Sequence, residues 1–152
     1  MNIKVRRTIP SEADVLSEIA FSAKAHWGYP ERWMKIWKPQ LTFTPEYFME
    51  NESWTAEHDN QPISFYTLEE KNGNAWIENL WVLPTYIGKG IGGQLFVHAL
   101  SRARELGYSK LQLASDPNAV GFYKRFGMIQ VGEHHYPIEG QSRILPVMEI
   151  LL

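Results

Sequence analysis

The chain of 152 residues is long enough for one domain to bury roughly 68 to 70% of its unfolded surface without metals or bridges. It contains no cysteine, which excludes disulfides, thiolate metal clusters and a covalent acyl-cysteine intermediate. A formal net charge of -2 gives no basic footprint for nucleic acid and no cationic run for an anionic membrane surface.

The amino terminus, Met1-Asn2-Ile3-Lys4-Val5-Arg6-Arg7, lacks the apolar stretch of a signal peptide, and no run of about 18 apolar residues follows that would span a bilayer. The expectation is a soluble, cytoplasmic protein with one domain over residues 1–152, because no repeat, low-complexity tract or Gly/Ser linker divides it. Residues 3–7 read as a strand. After Pro10, Ser11 with Asp14 three residues on resembles a capping box, opening a helix whose Ala13, Leu16, Ile19 and Ala20 share one face. From 26 to 39 the pattern loses clean periodicity and turns rich in Trp. A short helix restarts with Thr44 as cap and Pro45 in the first turn, through Phe48. Three strands follow at 53–57, 63–69 and 75–82, joined at Asp59-Asn60 and Asn72-Gly73 by residues suited to tight hairpins.

Beyond the loop Leu83-Pro84-Thr85-Tyr86, the apolar stripe Ile91, Leu95, Ala99, Ala103 and Leu106 predicts a helix over 91–106, with Gly107 as its left-handed C-cap. Residues 111–114 read as a short buried strand. Asp116 and Pro117 start another helix, in which Ala119, Phe122, Tyr123 and Phe126 share a face before Gly127 ends it. Two last strands, near 129–136 and 144–151, flank a Pro/Gly loop. The mixture implies an α+β or α/β pattern, with a central, largely antiparallel sheet and one β-α-β crossover.

The chemistry concentrates in the stretch from Leu80 through Val82, Pro84, Ile87, Gly88, Lys89, Gly90, Ile91, Gly92 and Gly93, where a strand stops, a glycine turn follows and an amphipathic helix begins. Four glycines in six residues strip the turn of side chains, so backbone N–H groups at the helix start can close around an anion favoured by the helix dipole. A phosphate site is the physical reading; a flexible strand-to-helix loop is the bland one. No G-x-x-x-x-G-K-S/T occurs, nor a G-x-G-x-x-G followed by an acidic ribose ligand in a doubly wound repeat, so ATP and NAD fit poorly.

The segment resembles the pyrophosphate-binding motif of the GNAT N-acetyltransferases, Arg/Gln-x-x-Gly-x-Gly/Ala after a strand ending in Val-x-Pro. Gly90 and Gly92 fall on its two glycines, and Ile87 stands where the family usually has Arg or Gln. Asn118-Ala119-Val120-Gly121-Phe122-Tyr123-Lys124-Arg125-Phe126-Gly127-Met128 is similar to the family's second motif, with Met128 replacing the usual aromatic. The resemblance implies an α/β/α sandwich around a mixed, mostly antiparallel sheet of six to seven strands, with acetyl-CoA as cosubstrate in a cleft where two strands splay. Pantetheine amides would pair with the main chain of Leu80, Trp81 and Val82. Ile87, Gly88, Lys89, Gly90, Ile91, Gly92 and Gly93 would hold the diphosphate, and Asn118 and Phe122 would join the cofactor-binding set. Lys89 reads equally well as a solvated surface lysine.

Aminolysis of a thioester needs a base for the amine, donors for the carbonyl oxygen and an acid for the departing thiolate. By resemblance Tyr123 is the acid, since a phenol with a pKa of about 10 keeps its proton at neutral pH; the bland reading is a core tyrosine. Glu78, a carboxylate inside the apolar segment Trp76 to Val82, is the candidate base, where partial burial would suit that role; a cross-strand partner for Lys or Arg is the alternative. Backbone N–H near Val82 would donate to the oxyanion. His26, Trp27, Tyr29 and Trp33, with Trp37, offer aromatic walls for an amine with an apolar body, and core packing or a homodimer contact explains them otherwise. His26 and Glu31 are alternative bases. His134-His135 is no metal pair, because neighbours on a strand point to opposite faces, and no metal is assigned. A small-molecule amine is the expected acceptor. A protein N-terminal or lysine acetyltransferase, a silent CoA-binding module and a plain interaction domain are the competing readings.

Overall fold

The computed structural model describes residues 1–152. Its strands form one seven-stranded sheet in the order β1-β2-β3-β4-β5-β7-β6, taking β1 as Lys4–Arg7, β2 as Glu52–His58, β3 as Gln61–Lys71, β4 as Asn74–Val82, β5 as Lys110–Ala114, β6 as Ile129–His135 and β7 as Ile144–Leu151. The helices are α1 (Ala13–Ala25), α2 (Glu31–Trp37), α3 (Pro45–Glu50), α4 (Ile91–Glu105) and α5 (Val120–Arg125). By contacts the chain divides into two compact units, Met1–Leu68 with Asn79–Ala99, and Glu69–Glu78 with Leu100–Leu152.

In the first unit, β1 pairs antiparallel with β2 from Lys4↔Glu57 to Arg7↔Trp54, and β2 pairs antiparallel with β3. Asp59 and Asn60 both have positive φ, 51° and 63°, the two-residue hairpin geometry that their identities predict. Leu16, Ile19 and Ala20 of α1, Met34 of α2, Leu41, Phe43, Phe48 of α3 and Phe65 of β3 make the core. The start of α1 differs from expectation. Ser11 and Asp14 form no capping box; instead a single 3-10 turn, Pro10–Glu12, precedes the helix, and the Glu12 carboxylate accepts from Ile9 N–H at 3.0 Å. Arg6 reinforces this entry. Its guanidinium meets Glu12 at 2.7 and 3.0 Å and Glu57 at 2.7 Å, joining β1 to β2 and to the turn. Burial alone would raise Glu12, but Arg6 and the Ile9 amide outweigh it and hold the carboxyl below its ordinary range. Thr44 does cap α3, its Oγ1 accepting from Tyr47 N–H at 3.2 Å.

The segment 26–39, read as aperiodic, contains the seven-residue helix α2, entered at Pro30 and continued by a 3-10 turn, Lys38–Leu41. Tyr29, Trp33 and Trp37 recur at intervals of four, a helical spacing in a piece too short for a longer window to register.

In the second unit, β5 pairs antiparallel with β7 along its whole length, Lys110↔Leu151 to Ala114↔Val147, and β7 pairs antiparallel with β6. Its pairing with β4 is parallel and short, Ala75↔Leu111 and Trp76↔Gln112. This parallel pair closes the β4–α4–β5 crossover in a sheet otherwise paired antiparallel. Asn72 and Gly73 turn the β3–β4 hairpin at φ 53° and 81°. Leu111, Leu113, Met128 and Met148 are buried. The predicted stripe of α4 holds for Ile91, Leu95, Ala99 and Ala103, all buried, but the helix ends at Glu105 and Leu106 is 45% exposed.

Candidate active site

The glycine turn begins after β4. Pro84–Tyr86 makes one 3-10 turn, Ile87 is extended and 42% exposed, and Gly88 and Gly90 take φ +82° and +80°. No atom lies within 4 Å of where a Cβ would sit at either glycine, so space stands open beside the backbone. Gln94 N–H donates to Gly90 O at 3.0 Å, which starts α4 and leaves the N–H groups of Ile91, Gly92 and Gly93 as first-turn donors without an intrahelical acceptor. The side chain of Ile91 is core, 1% exposed, so only its amide is on offer. Lys89 is exposed, its Nζ 5.3 Å from the Tyr86 ring, whose hydroxyl meets His58 Nδ1 at 3.0 Å. A bare, left-handed turn leading into a helix start offers backbone donors that can take an anion.

The strand before the turn is held by a satisfied polar network. Asn79 Nδ2 donates to Thr67 Oγ1 at 3.0 Å and to Tyr47 OH at 3.4 Å, Asn79 Oδ1 accepts from Trp81 Nε1 at 3.0 Å, and Trp81 O accepts from Ser64 Oγ at 2.7 Å. Leu80, Trp81 and Val82 are all half-buried. Thr67, Tyr47 and Asn79 read in the sequence as ordinary strand or helix residues, and only the fold brings them together.

Aromatic side chains pack around Lys24 in the same unit. Tyr29 stacks on Trp33 at 6.1 Å and meets Trp37 edge-on at 5.0 Å, while Lys24 Nζ lies 4.5 Å from the Trp37 ring and 5.0 Å from Tyr29. Lys24 is 9% exposed. The walls expected to receive a foreign ammonium at Tyr29 thus hold the chain's own, because α1 aims Lys24 at α2, and Tyr29 and Trp37 also pack on the core. His26 and Trp27, at the end of α1, are exposed and touch each other edge-on at 5.7 Å. Glu31 is exposed in the first turn of α2.

In the second unit Tyr123 is buried on α5, 8% exposed, with Phe122 5.0 Å away ring to ring. Burial first, and the charge of Asp116 second, push the phenol above its ordinary value, so it keeps its proton throughout the neutral range. Asp116 is fixed by Arg143 Nη2 at 3.3 Å, and its Oδ1 accepts from Asn118 N–H at 2.9 Å and Asn118 Nδ2 at 3.0 Å. Asp116 therefore caps the turn that leads into α5, and it engages both the backbone and the side-chain amide of Asn118.

Glu78 departs from the expectation of partial burial. It lies exposed on β4, its Oε2 accepting from Lys71 Nζ at 3.0 Å and from Trp76 Nε1 at 2.7 Å. Both faces of β4 are covered at Ala75, Trp76 and Ile77, and Glu78 is the position where the strand opens to solvent on the face it shares with Trp76. Glu69, which sequence reading passed over, is half-buried; burial, then the charge of Glu78, raises its carboxyl above the usual range despite Lys71. His134 Nδ1 is 3.3 Å from Tyr136 OH, and His135 Nε2 is 3.7 Å from Glu133.

The acetyltransferase (GNAT) family matches residues 17–128, a span that takes in both the glycine turn and Tyr123. No curated protein matches the sequence. Among solved structures, a GCN5-related N-acetyltransferase from Rhodopseudomonas palustris aligns with TM-score 0.84 at 20% identity, covering 100% of this chain and 97% of its own. The PaiA N-acetyltransferase of Thermoplasma acidophilum, solved with coenzyme A, aligns at 0.81 and 22% identity over 100% of both chains. The ribosomal-protein-S18-alanine N-acetyltransferase of Escherichia coli aligns at 0.74 and 16% over 99% of this chain and 94% of its own. These likenesses show the fold; the family match, over well more than half of the sequence, shows that the chain belongs to the GNAT acetyltransferases, acyltransferases that depend on acyl-CoA.

Proposed function

We propose that the protein transfers the acetyl group of acetyl-CoA to a primary amine of a small molecule, by direct attack in a ternary complex. The observation that carries this reading is Tyr123, a buried phenol on α5 within the span that matches this family. The first-turn amides and the left-handed glycines at 88 and 90 grip the diphosphate, Lys89 adds charge, and the main chain of Leu80 to Val82 takes the pantetheine amides. Asn118, in the turn before α5, and Phe122, in α5, complete the proposed cofactor-binding set. His26 and Trp27, exposed at the end of α1, are available as walls for the acceptor.

The amine arrives as ammonium and gives one proton to Glu78, directly or through water. Its lone pair attacks the thioester carbonyl carbon while backbone N–H near Val82 donates to the oxygen. The C–N bond forms and the C–S bond breaks, Tyr123 protonates the departing sulfur, and the nitrogen's second proton restores the phenol. The products are the N-substituted acetamide, CoA thiol and one proton. Thiol release from acetyl-CoA, measured with a panel of amines and with a peptide bearing a free amino-terminal alanine, tests this. Tyr123→Phe is expected to lower turnover by about 10² to 10⁴ while leaving CoA affinity as it was. An unchanged rate removes the phenol from the mechanism, and CoA binding without release for any acceptor leaves only a binding module.

A further inference from the structure

The β3–β4 hairpin brings a cation and its recognition groups together. Lys71 Nζ lies 3.0 Å from Glu78 Oε2 and 4.3 Å from the centroid of the Trp76 ring, and Trp76 Nε1 donates to the same carboxylate oxygen at 2.7 Å. His134 of β6 stacks against Trp76 at 5.8 Å and 24°, backing the indole. Glu69 adds a second carboxylate, close enough that the charge of Glu78 acts on it. An ammonium at the end of four methylenes, resting over an indole and bound to a carboxylate, is held as a free primary alkylamine would be.

We infer that the Trp76–Glu78 pair is the acceptor's ammonium site, that the acceptor is a primary alkylamine with an unbranched methylene chain, and that Lys71 is a resident competitor which the acceptor displaces. The inference rests on the acetyltransferase reading and on Glu78 as proton acceptor. Displacement is cheap. The two partners' side chains are 41% and 45% exposed, and such a pair is worth little in water. Lys71 directly precedes a turn of two left-handed residues, so its long side chain can swing clear without disturbing a core. Two carboxylates against one ammonium leave the cluster negative, which favours a cationic ligand over a neutral one. Lys71 and an incoming amine therefore compete for Oε2 of Glu78.

Lys71→Met keeps the methylene cover on Trp76 and removes the charge. Thiol release is measured with n-butylamine, with 1,4-diaminobutane and with an N-terminally acetylated peptide carrying one lysine. Amine-induced shifts in melting temperature are recorded in parallel, without acetyl-CoA. The expected result is a KM for the alkylamines lower by about three- to ten-fold, kcat moving less than KM, and thermal-shift midpoints falling by a similar factor. Lys71→Arg, which retains the competitor's charge, should hold the wild-type KM. A gain for the free amines assigns a small-molecule source, and a gain for the peptide alone assigns a protein lysine. Unchanged KM and unchanged shift midpoints in Lys71→Met overturn the inference while the acetyltransferase reading stands. If no acceptor releases thiol, that reading fails by itself, and the thermal shifts still decide whether Lys71 and alkylamines compete.

Discussion

At the scale of single residues, Tyr123 shows how packing and chemistry coincide. In the sequence it is one member of an apolar helical stripe with Phe122 and Phe126, a pattern that by itself reads as core, and it is indeed buried. The same burial, with Asp116 nearby, raises the pH at which the phenol ionises. This has a consequence for stability, because the folded phenol ionises at higher pH than the unfolded one. Below the ordinary phenol value of about 10 both states hold the proton and nothing is lost; as pH rises past it, the unfolded chain ionises first and stability falls by at most about 1.4 kcal/mol per pH unit, until the folded pKa is reached. Urea unfolding between pH 10 and 11.5 should therefore show wild type losing stability faster than Tyr123→Phe. Parallel losses would mean that the phenol ionises alike in both states. Glu78 was legible as a lone acid in an apolar strand but not as an exposed one, since its partner Lys71 lies seven residues back and across a turn. Lys24 was hidden until α2 existed to receive it.

At the scale of elements, the hairpins were readable because pairs such as Asp59-Asn60 and Asn72-Gly73 state their own backbone geometry, and α4 because its buried stripe runs for four turns. Helix α2 was not, since Pro30 and Pro39 frame a piece of chain too short to show a period against its aromatic background. The glycine turn lies between these cases, for its anion-binding character was plain in composition while its geometry rests on two left-handed residues. Gly90→Ala tests that geometry. The added methyl meets no atom within 4 Å, so the cost comes only from forcing an L-residue to φ near +80°, about 1 to 2 kcal/mol. Titration calorimetry should show CoA binding weakened at least about tenfold as the first-turn amides lose their aim. Wild-type affinity in this variant would mean that the turn does not carry the diphosphate.

At the scale of the whole molecule, the family match ends at Met128, so it includes the glycine turn and Tyr123 but not β6 and β7. Cofactor handling is thus expected to follow the family. Acceptor choice is expected to depend on side chains such as Lys71 and Glu78, which lie inside the match but outside the glycine turn. The two can be separated in one measurement. A ligand that binds only the native state adds RT ln(1 + [L]/Kd), about 2.7 kcal/mol at a hundredfold excess over Kd, and each kcal/mol is worth about 2 to 4 °C for a chain of this size. Saturating CoA should then raise the wild-type Tm by about 5 to 11 °C. Tyr123→Phe, which alters only proton donation, should show the whole rise; Gly90→Ala should start a few degrees lower and gain at most about half as much at the same CoA concentration. Lys71→Met should match wild type with CoA and depart from it only when an alkylamine is added. A wild-type melt that ignores millimolar CoA would undo the cofactor assignment, and with it every role given to Tyr123 and Glu78.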